Sequence, residues 1–112
     1  MQPLTSSQAK SLRGLAHSLK PVVLVGQKGL SDALLASVAE ALGVHELIKV
    51  KFTDVKERST RSLLAAEIGV KTDSALAGLI GNVAILYRPN PIPEKRKVQL
   101  PPPSARRTAK NG

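Results

Sequence analysis

Two glycines flank a lysine directly after an apolar run, and this arrangement is typical of an anion-binding turn. The run Pro21–Val25 ends at Gly26-Gln27-Lys28-Gly29, after which Ser31 and Asp32 open a helical pattern. Glycine lets the backbone turn sharply without a Cβ penalty, and the unpaired N–H groups at a helix start attract anions. Lys28 adds a positive charge at the same place. The sequence therefore predicts an anion site in residues 26–29, the glycine turn.

The surplus of basic residues indicates which anion this turn binds. The chain has 17 Lys and Arg residues against 8 Asp and Glu, a formal net charge of +9. Residues 1–88 carry 11 basic and 7 acidic side chains, and residues 89–112 carry 6 and 1. Surfaces of this kind bind polyanions because counterions condensed on the polyanion are released. We therefore expect a nucleic-acid phosphate at the glycine turn.

Composition excludes several other classes of function. No cysteine is present, which rules out disulfides, thiolate zinc sites and a cysteine nucleophile. The two histidines, His17 and His45, lack the carboxylate or serine pattern of a metal cluster or a catalytic triad. The first residues do not resemble a signal peptide, and no apolar run is long enough to span a bilayer. We therefore expect a cytoplasmic, monomeric, non-enzymatic domain without membrane contact, metal or cofactor.

Other phosphate-binding loops fit the glycine turn less well. The sequence contains neither a Gly-x-Gly-x-x-Gly dinucleotide motif nor a Gly-x-x-x-x-Gly-Lys-Ser/Thr nucleotide loop. The Gly-x-x-Gly loop of hnRNP-K-type domains joins two helices, whereas Gly26 follows a strand pattern. A plain strand-to-helix turn remains open as the alternative reading of Gly26 and Gly29. A protein-interaction module, whose basic surface docks an acidic partner, remains open as the alternative function.

Local signals predict three helices. Thr5 and Gln8 are spaced as a capping box that starts the first helix, and Pro21 lies beyond its end. Ser31 is a good N-cap for the second helix, which is predicted to close at Gly43. The periodic apolar residues between positions 63 and 69 predict the third.

Four strands are predicted between and after these helices. The unbroken apolar run Val22–Val25 predicts a strand buried on both faces. Residues 46–52 alternate, so Lys49 and Lys51 should share the exposed face. The dipeptide Gly81-Asn82 predicts a hairpin that joins two final antiparallel strands. The order α-β-α-β-α-β-β predicts an α/β fold, a two-layer sandwich with a mixed four-stranded sheet.

Basic side chains outside the glycine turn are predicted to extend the phosphate-binding surface. Several recur on one face of the first helix, and others flank the strands. The predicted set is Lys10, Arg13, Lys20, Lys49, Lys51 and Arg88. Phe52 and Tyr87 are the only large aromatic residues and both lie in strand patterns, so extensive base stacking is not expected.

The C-terminal part of the chain differs in composition from the rest. From Pro89 onward, six of the eight prolines alternate with Lys and Arg, and no apolar periodicity remains. Such a composition is typical of extended, mobile segments. The sequence therefore predicts a folded domain at residues 1–89 and a disordered, proline-rich basic tail at residues 90–112.

Five segments together resemble one known family over about residues 4 to 90. They are Leu15-Ala16-His17, Lys20-Pro21-Val22-Val23, Val25-Gly26-Gln27-Lys28-Gly29-Leu30, His45-Glu46-Leu47-Ile48-Lys49-Val50 and Leu86-Tyr87-Arg88. The chain resembles the chloroplast RNA splicing and ribosome maturation (CRM) domain in its free-standing bacterial YhbY-type form.

This resemblance implies both a fold and a role. The fold would be similar to the C-terminal domain of bacterial translation initiation factor three, and the role would be the binding of structured RNA. Bacterial members of this kind are associated with precursors of the large ribosomal subunit, and plant members act in group II intron splicing. The resemblance places the RNA-contacting loop on Gly26, Gln27, Lys28 and Gly29. Members similar to this chain end soon after the Leu-Tyr-Arg segment, whereas this chain continues to Gly112.

Overall fold

Helices and strands alternate along residues 3–102, the part of the chain that this computed structural model describes. In chain order the elements are α1 (Ser6–Ala16), β1 (Val23–Val25), α2 (Asp32–His45), β2 (Leu47–Phe52), α3 (Arg58–Lys71), β3 (Ala75–Ile80), β4 (Val83–Tyr87) and a short 3-10 turn (Pro93–Lys95). The predicted order of helices and strands is confirmed.

The strands form one mixed four-stranded sheet with the spatial order β1-β2-β4-β3. β1 runs parallel to β2, while β4 pairs antiparallel with both β2 and β3. The predicted hairpin is present at Gly81-Asn82, where Gly81 has a φ of +59° that glycine adopts without strain. The predicted mixed sheet and α/β class are therefore confirmed.

Helices cover both faces of this sheet. Residues of α2 and α3 pack on one face against alternate residues of β2, including Ile48, Val50 and Phe52. α1 packs on the opposite face against Ile85 and Tyr87 of β4. The sheet therefore lies between two layers of helices, which makes three layers where the sequence predicted two. Element order alone does not determine the face on which α1 packs.

β1 is an edge strand and is buried on one face only. Val23 and Val25 are buried, but Leu24 between them is 62% exposed. α1 packs mainly on β2, β3 and β4 and leaves the outer strand uncovered. The prediction that β1 is buried on both faces is therefore wrong, because an unbroken apolar run does not reveal whether a second helix covers the strand.

The N-terminal caps of α1 and α2 are those that the sequence predicts, but two helices extend beyond their predicted ends. α3 spans Arg58–Lys71 and so exceeds the predicted 63–69 segment at both ends. Thr5 and Gln8 form the predicted capping box, and the Ser31 side chain accepts the N–H of Leu34. α2 continues past Gly43 to His45 and is closed by Glu46, whose N–H donates to Leu42 O at 2.9 Å. Gly43 is therefore not the terminating residue.

Residues 90–102 pack against the domain, which differs from the expectation of a disordered segment starting at residue 90. Val98 and Leu100 pack against the apolar cluster under α1. The Gln8 side-chain amide donates to Pro101 O at 3.0 Å. Two isolated apolar residues among prolines give no periodic signal, so the sequence did not indicate this contact. The remainder of the predicted tail, residues 103–112, lies outside the described residues.

Candidate nucleic-acid interface

The glycine turn is a tight, exposed turn at the end of β1. The Gly29 N–H donates to Gly26 O at 3.1 Å, which closes the turn across four residues. Gly29 has a φ of +72°, a conformation that residues with a Cβ rarely adopt. Gln27 and Lys28 at the centre of the turn are exposed. A polyanion can therefore reach the turn without displacing other side chains.

The backbone of the turn offers hydrogen-bond donors to an incoming anion. Within residues 3–102, the N–H groups of Gln27 and Lys28 have no acceptor. The start of α2 contributes less than the sequence predicted, because the Ser31 Oγ already accepts the Leu34 N–H at 3.1 Å and Asp32 places a carboxylate in the first turn. The anion-binding capacity therefore lies in the two turn amides and in the Lys28 ammonium group.

The turn is fixed to the end of β2. The Thr53 N–H donates to Val25 O at 2.7 Å, and the Thr53 hydroxyl donates to the same oxygen at 3.3 Å. The β3–β4 hairpin joins this end of the sheet, because the Phe52 N–H donates to Asn82 O at 2.8 Å. We call this end of the sheet, which carries the glycine turn, the loop after β2 and the β3–β4 hairpin, the turn end. Its loops hold the glycine turn on a rigid base.

Two of the predicted cations near the sheet already bond to carbonyl oxygens. The Lys49 ammonium group donates to Leu19 O at 3.0 Å and to His17 O at 3.3 Å, both just beyond the C-terminus of α1. The Arg13 guanidinium group donates to Ala77 O at 2.9 Å. These side chains add positive charge to the surface, but part of their donor capacity stabilises the packing of α1.

The other predicted lysines are exposed. Lys51 projects from β2 one residue before its end at the turn end. Lys10 lies on the outer side of α1, and Lys20 lies in the connection between α1 and β1. Lys51 and Lys28 are therefore the predicted lysines at the turn end, while Lys10 and Lys20 lie elsewhere on the surface.

Arg88 takes a structural position in the fold. Its guanidinium group donates to Thr72 O, just beyond α3, at 2.8 Å and to Ala39 O, in the middle of α2, at 2.9 Å, which joins the two helices. Arg88 follows β4 at the sheet end opposite the glycine turn, and the length of β2 between the two ends is about 17 Å at 3.3 Å per residue. Arg88 is therefore not among the residues that we propose to contact RNA.

Two basic residues that the sequence analysis did not select lie at the turn end. Lys56 is exposed in the loop that leaves β2 beside the glycine turn, and Arg58 starts α3. The Arg58 guanidinium group donates to Leu79 O at 3.0 Å, near the hairpin. Only the parallel pairing of β1 with β2 brings this loop to the glycine turn. No local signal could have identified these two residues.

Comparison with known proteins identifies the family. The model of the CRS1 / YhbY (CRM) domain matches residues 4–88. The chain belongs to this family. It is 43% identical over 101 residues to an "RNA-binding protein" of Haemophilus influenzae, covering 90% of this chain and 98% of the relative. It is 37% identical over 99 residues to the "Probable RNA-binding protein YqeI" of Bacillus subtilis, covering 88% and 99% of the two chains.

A solved structure supports the fold of this CRM domain. The solution structure of the hypothetical protein SAV1595 from Staphylococcus aureus superposes with a TM-score of 0.77 at 28% identity, covering 88% of this chain and 99% of the other. The relatives in Haemophilus influenzae and Bacillus subtilis are named for RNA binding, which is the non-catalytic role that the sequence predicts. Within residues 3–102, no helix is long and apolar enough to cross a membrane.

Proposed function

We propose that this CRM domain binds RNA by holding backbone phosphates at the glycine turn. The observation that carries the proposal is an exposed turn in which the Gln27 and Lys28 backbone N–H groups have no acceptor among residues 3–102 and lie beside the Lys28 side chain. Backbone amides that converge with a cation form a common phosphate-binding arrangement. The names of the relatives in Haemophilus and Bacillus support RNA as the ligand.

The surrounding cations extend the footprint of the RNA. Lys51, Lys56 and Arg58 lie at the turn end, while Lys10, Arg13, Lys20 and Lys49 add charge along the α1 side. Contacts of this kind fix the position of a nucleic-acid backbone without reading its sequence. Recognition therefore depends mainly on backbone and shape.

We propose large-subunit ribosomal RNA precursor as the target and ribosome assembly as the role, acting as a monomer in the cytoplasm. The support is the family, whose bacterial members resembling this chain are associated with these precursors. The test is crosslinking in cells followed by sequencing of the bound RNA. Accumulation of crosslinks on precursor rRNA is expected, and crosslinks spread evenly over unrelated RNAs would contradict the assignment.

The direct test of RNA binding reverses the charge of the turn. The double variant Gln27→Asp/Lys28→Asp should abolish RNA binding with little change in melting temperature, because both side chains are exposed. The matched control Lys95→Asp/Gln99→Asp makes the same charge change at exposed positions outside the proposed footprint. Equal losses of affinity in the two variants would contradict a site at the turn.

A further inference from the structure

The face of the sheet that carries α1 is left uncovered near the glycine turn. Strand pairing places Leu24 opposite Lys51, Lys51 opposite Val83, and Val83 opposite Ile80. Directly paired residues point to the same side of a sheet, so these four side chains form one row across all four strands. Leu24 is 62% exposed and Ile80 is 59% exposed. We name these four residues the open row.

The open row has an unusual composition for an uncovered surface. Lys51 is exposed and lies between Leu24 and Val83, and Ile80 follows Val83 in the row. Next to the row is a cleft of about 170 Å³, formed where α1 ends its coverage of the sheet. Its lining residues are Arg13, His17, Lys49, Ile80, Val83 and Ile85. Neither the row nor the cleft lining contains an acidic residue. The aliphatic side chains therefore form an apolar floor, and Arg13, His17 and Lys49 form its basic border.

The dimensions and composition of this surface limit what can occupy it. Pockets for free small molecules usually enclose about 300–1,000 Å³, so the cleft is too small to hold such a ligand by itself. Lysine is depleted at the centres of protein interfaces, yet Lys51 lies inside the row. The basic border complements a polyanion that is anchored elsewhere on the domain. The glycine turn supplies such an anchor, since Gly26 follows Leu24 by only two residues, about 6.6 Å along a strand.

Base-paired RNA gains little from an aliphatic floor. A duplex presents phosphates and sugar hydroxyls outward and keeps the base faces stacked inside. Unpaired nucleotides expose the apolar faces of their bases. Leu24 and Ile80 lie on the two edge strands, roughly 14 Å apart at about 4.8 Å per strand, so each can cover a separate base while Lys51 between them remains close to a phosphate. Aromatic stacking is not available here, because Phe52 and Tyr87 are buried in the core.

We propose that the open row binds unpaired nucleotides of the RNA whose phosphates the glycine turn holds, an inference that rests on the proposed function. One base packs on Leu24 and another on Val83 and Ile80, and the backbone continues past Lys51 to Lys28. This CRM domain therefore prefers structured RNA at positions where a single-stranded loop, bulge or end emerges from a helix. The preference arises from the apolar side chains, whereas the cations act on any RNA.

The test compares a labelled single-stranded oligoribonucleotide with its blunt duplex in fluorescence anisotropy titrations. Leu24→Thr/Ile80→Thr places a β-branched residue, which strands favour, at both edge-strand positions and does not change the net charge. Its affinity for the single strand should fall about fivefold, the lower end of the loss from removing a base-stacking side chain. Affinity for the duplex should stay unchanged. The matched control Leu63→Gln/Val70→Gln, at 73% and 82% exposed positions of α3, should alter neither affinity.

A second variant is expected to raise the affinity for the single strand, a result that misfolding cannot produce. Leu24→Phe offers an aromatic ring at the same position and should strengthen single-strand binding about threefold without affecting the duplex. Equal effects of the sheet variants on both RNAs, or no effect on either, would overturn the inference and leave the row as a surface for a protein. Failure of the wild-type domain to bind either RNA would instead overturn the proposed function.

Discussion

Glu46 and Lys97 are 51 residues apart in sequence, yet the Glu46 carboxylate accepts the Lys97 backbone N–H at 2.6 Å. The same carboxylate accepts the N–H groups of Asn90 at 2.6 Å and Val98 at 2.9 Å. Burial by itself raises the pKa of Glu46, but these three donors together with Arg96 hold the pKa below its ordinary value. One buried carboxylate at the end of α2 thus holds residues 90–98 against the domain.

Glu46→Gln should destabilise the protein by about 2 kcal/mol at neutral pH, because an amide nitrogen would face an N–H donor in place of a carboxylate oxygen. Amides of residues 90–98 should lose hydrogen-exchange protection. The control Glu67→Gln affects only the exposed pair between Glu67 and Lys71 and should change the free energy of unfolding by less than about 0.5 kcal/mol.

Stability should also depend on pH through Glu46. Since folding lowers its pKa, the stabilisation is present above the ordinary value of 4.5 and is lost as the pH falls through the folded-state pKa. The difference in unfolding free energy between the wild type and Glu46→Gln should therefore shrink in acid. Urea unfolding at a series of pH values measures it, and a difference that stays constant into acid would argue against this role.

Gly29 and Gly14 should respond in opposite directions to alanine. Gly29→Ala places a Cβ at a φ of +72° and should cost about 1–2 kcal/mol of stability. Gly14 lies inside α1 with no atom within 4 Å of an added Cβ, so Gly14→Ala should stabilise the fold by about 0.5–1 kcal/mol. Urea unfolding of both variants provides the comparison. A stabilised Gly29→Ala protein would show that the turn adopts another conformation in solution.

Arg88→Ala should lower stability without lowering the affinity of the folded domain for RNA. The substitution removes two hydrogen bonds, to carbonyl oxygens in the middle of α2 and just beyond α3, and each such bond to a charged group contributes about 1.5–3 kcal/mol. Lys28→Ala should lower the affinity for RNA without lowering stability. Melting temperature and RNA titration at a temperature where both variants are folded separate the two roles.

RNA binding should weaken steeply with salt. If about five phosphates are contacted, a slope of about 0.7 per phosphate predicts roughly hundredfold weaker binding between about 50 and 200 mM salt. Lys28→Gln should reduce the slope by about 0.7, whereas Lys71→Gln on α3 should not. A nearly flat salt response of the wild type would contradict phosphate contacts as the main source of affinity.

The sequence by itself determined the features that depend on residues close together in the chain. The capping box at Thr5 and Gln8, the hairpin at Gly81-Asn82 and the glycine turn each follow from the conformations that a few neighbouring residues favour. The alternation in β2 identified its buried face for the same reason, because side chains in a strand point alternately to the two sides.

Only the tertiary structure decided which residues from distant parts of the chain meet. It placed α1 on the second face of the sheet, left Leu24 exposed, used Arg88 to join α2 to the end of α3 and placed Lys56 in the loop at the turn end. It also buried Glu46 under residues 90–98. These contacts depend on strand order and helix packing. The sequence does not reveal them, because the residues next to a position in the chain do not determine which distant residues pack against it.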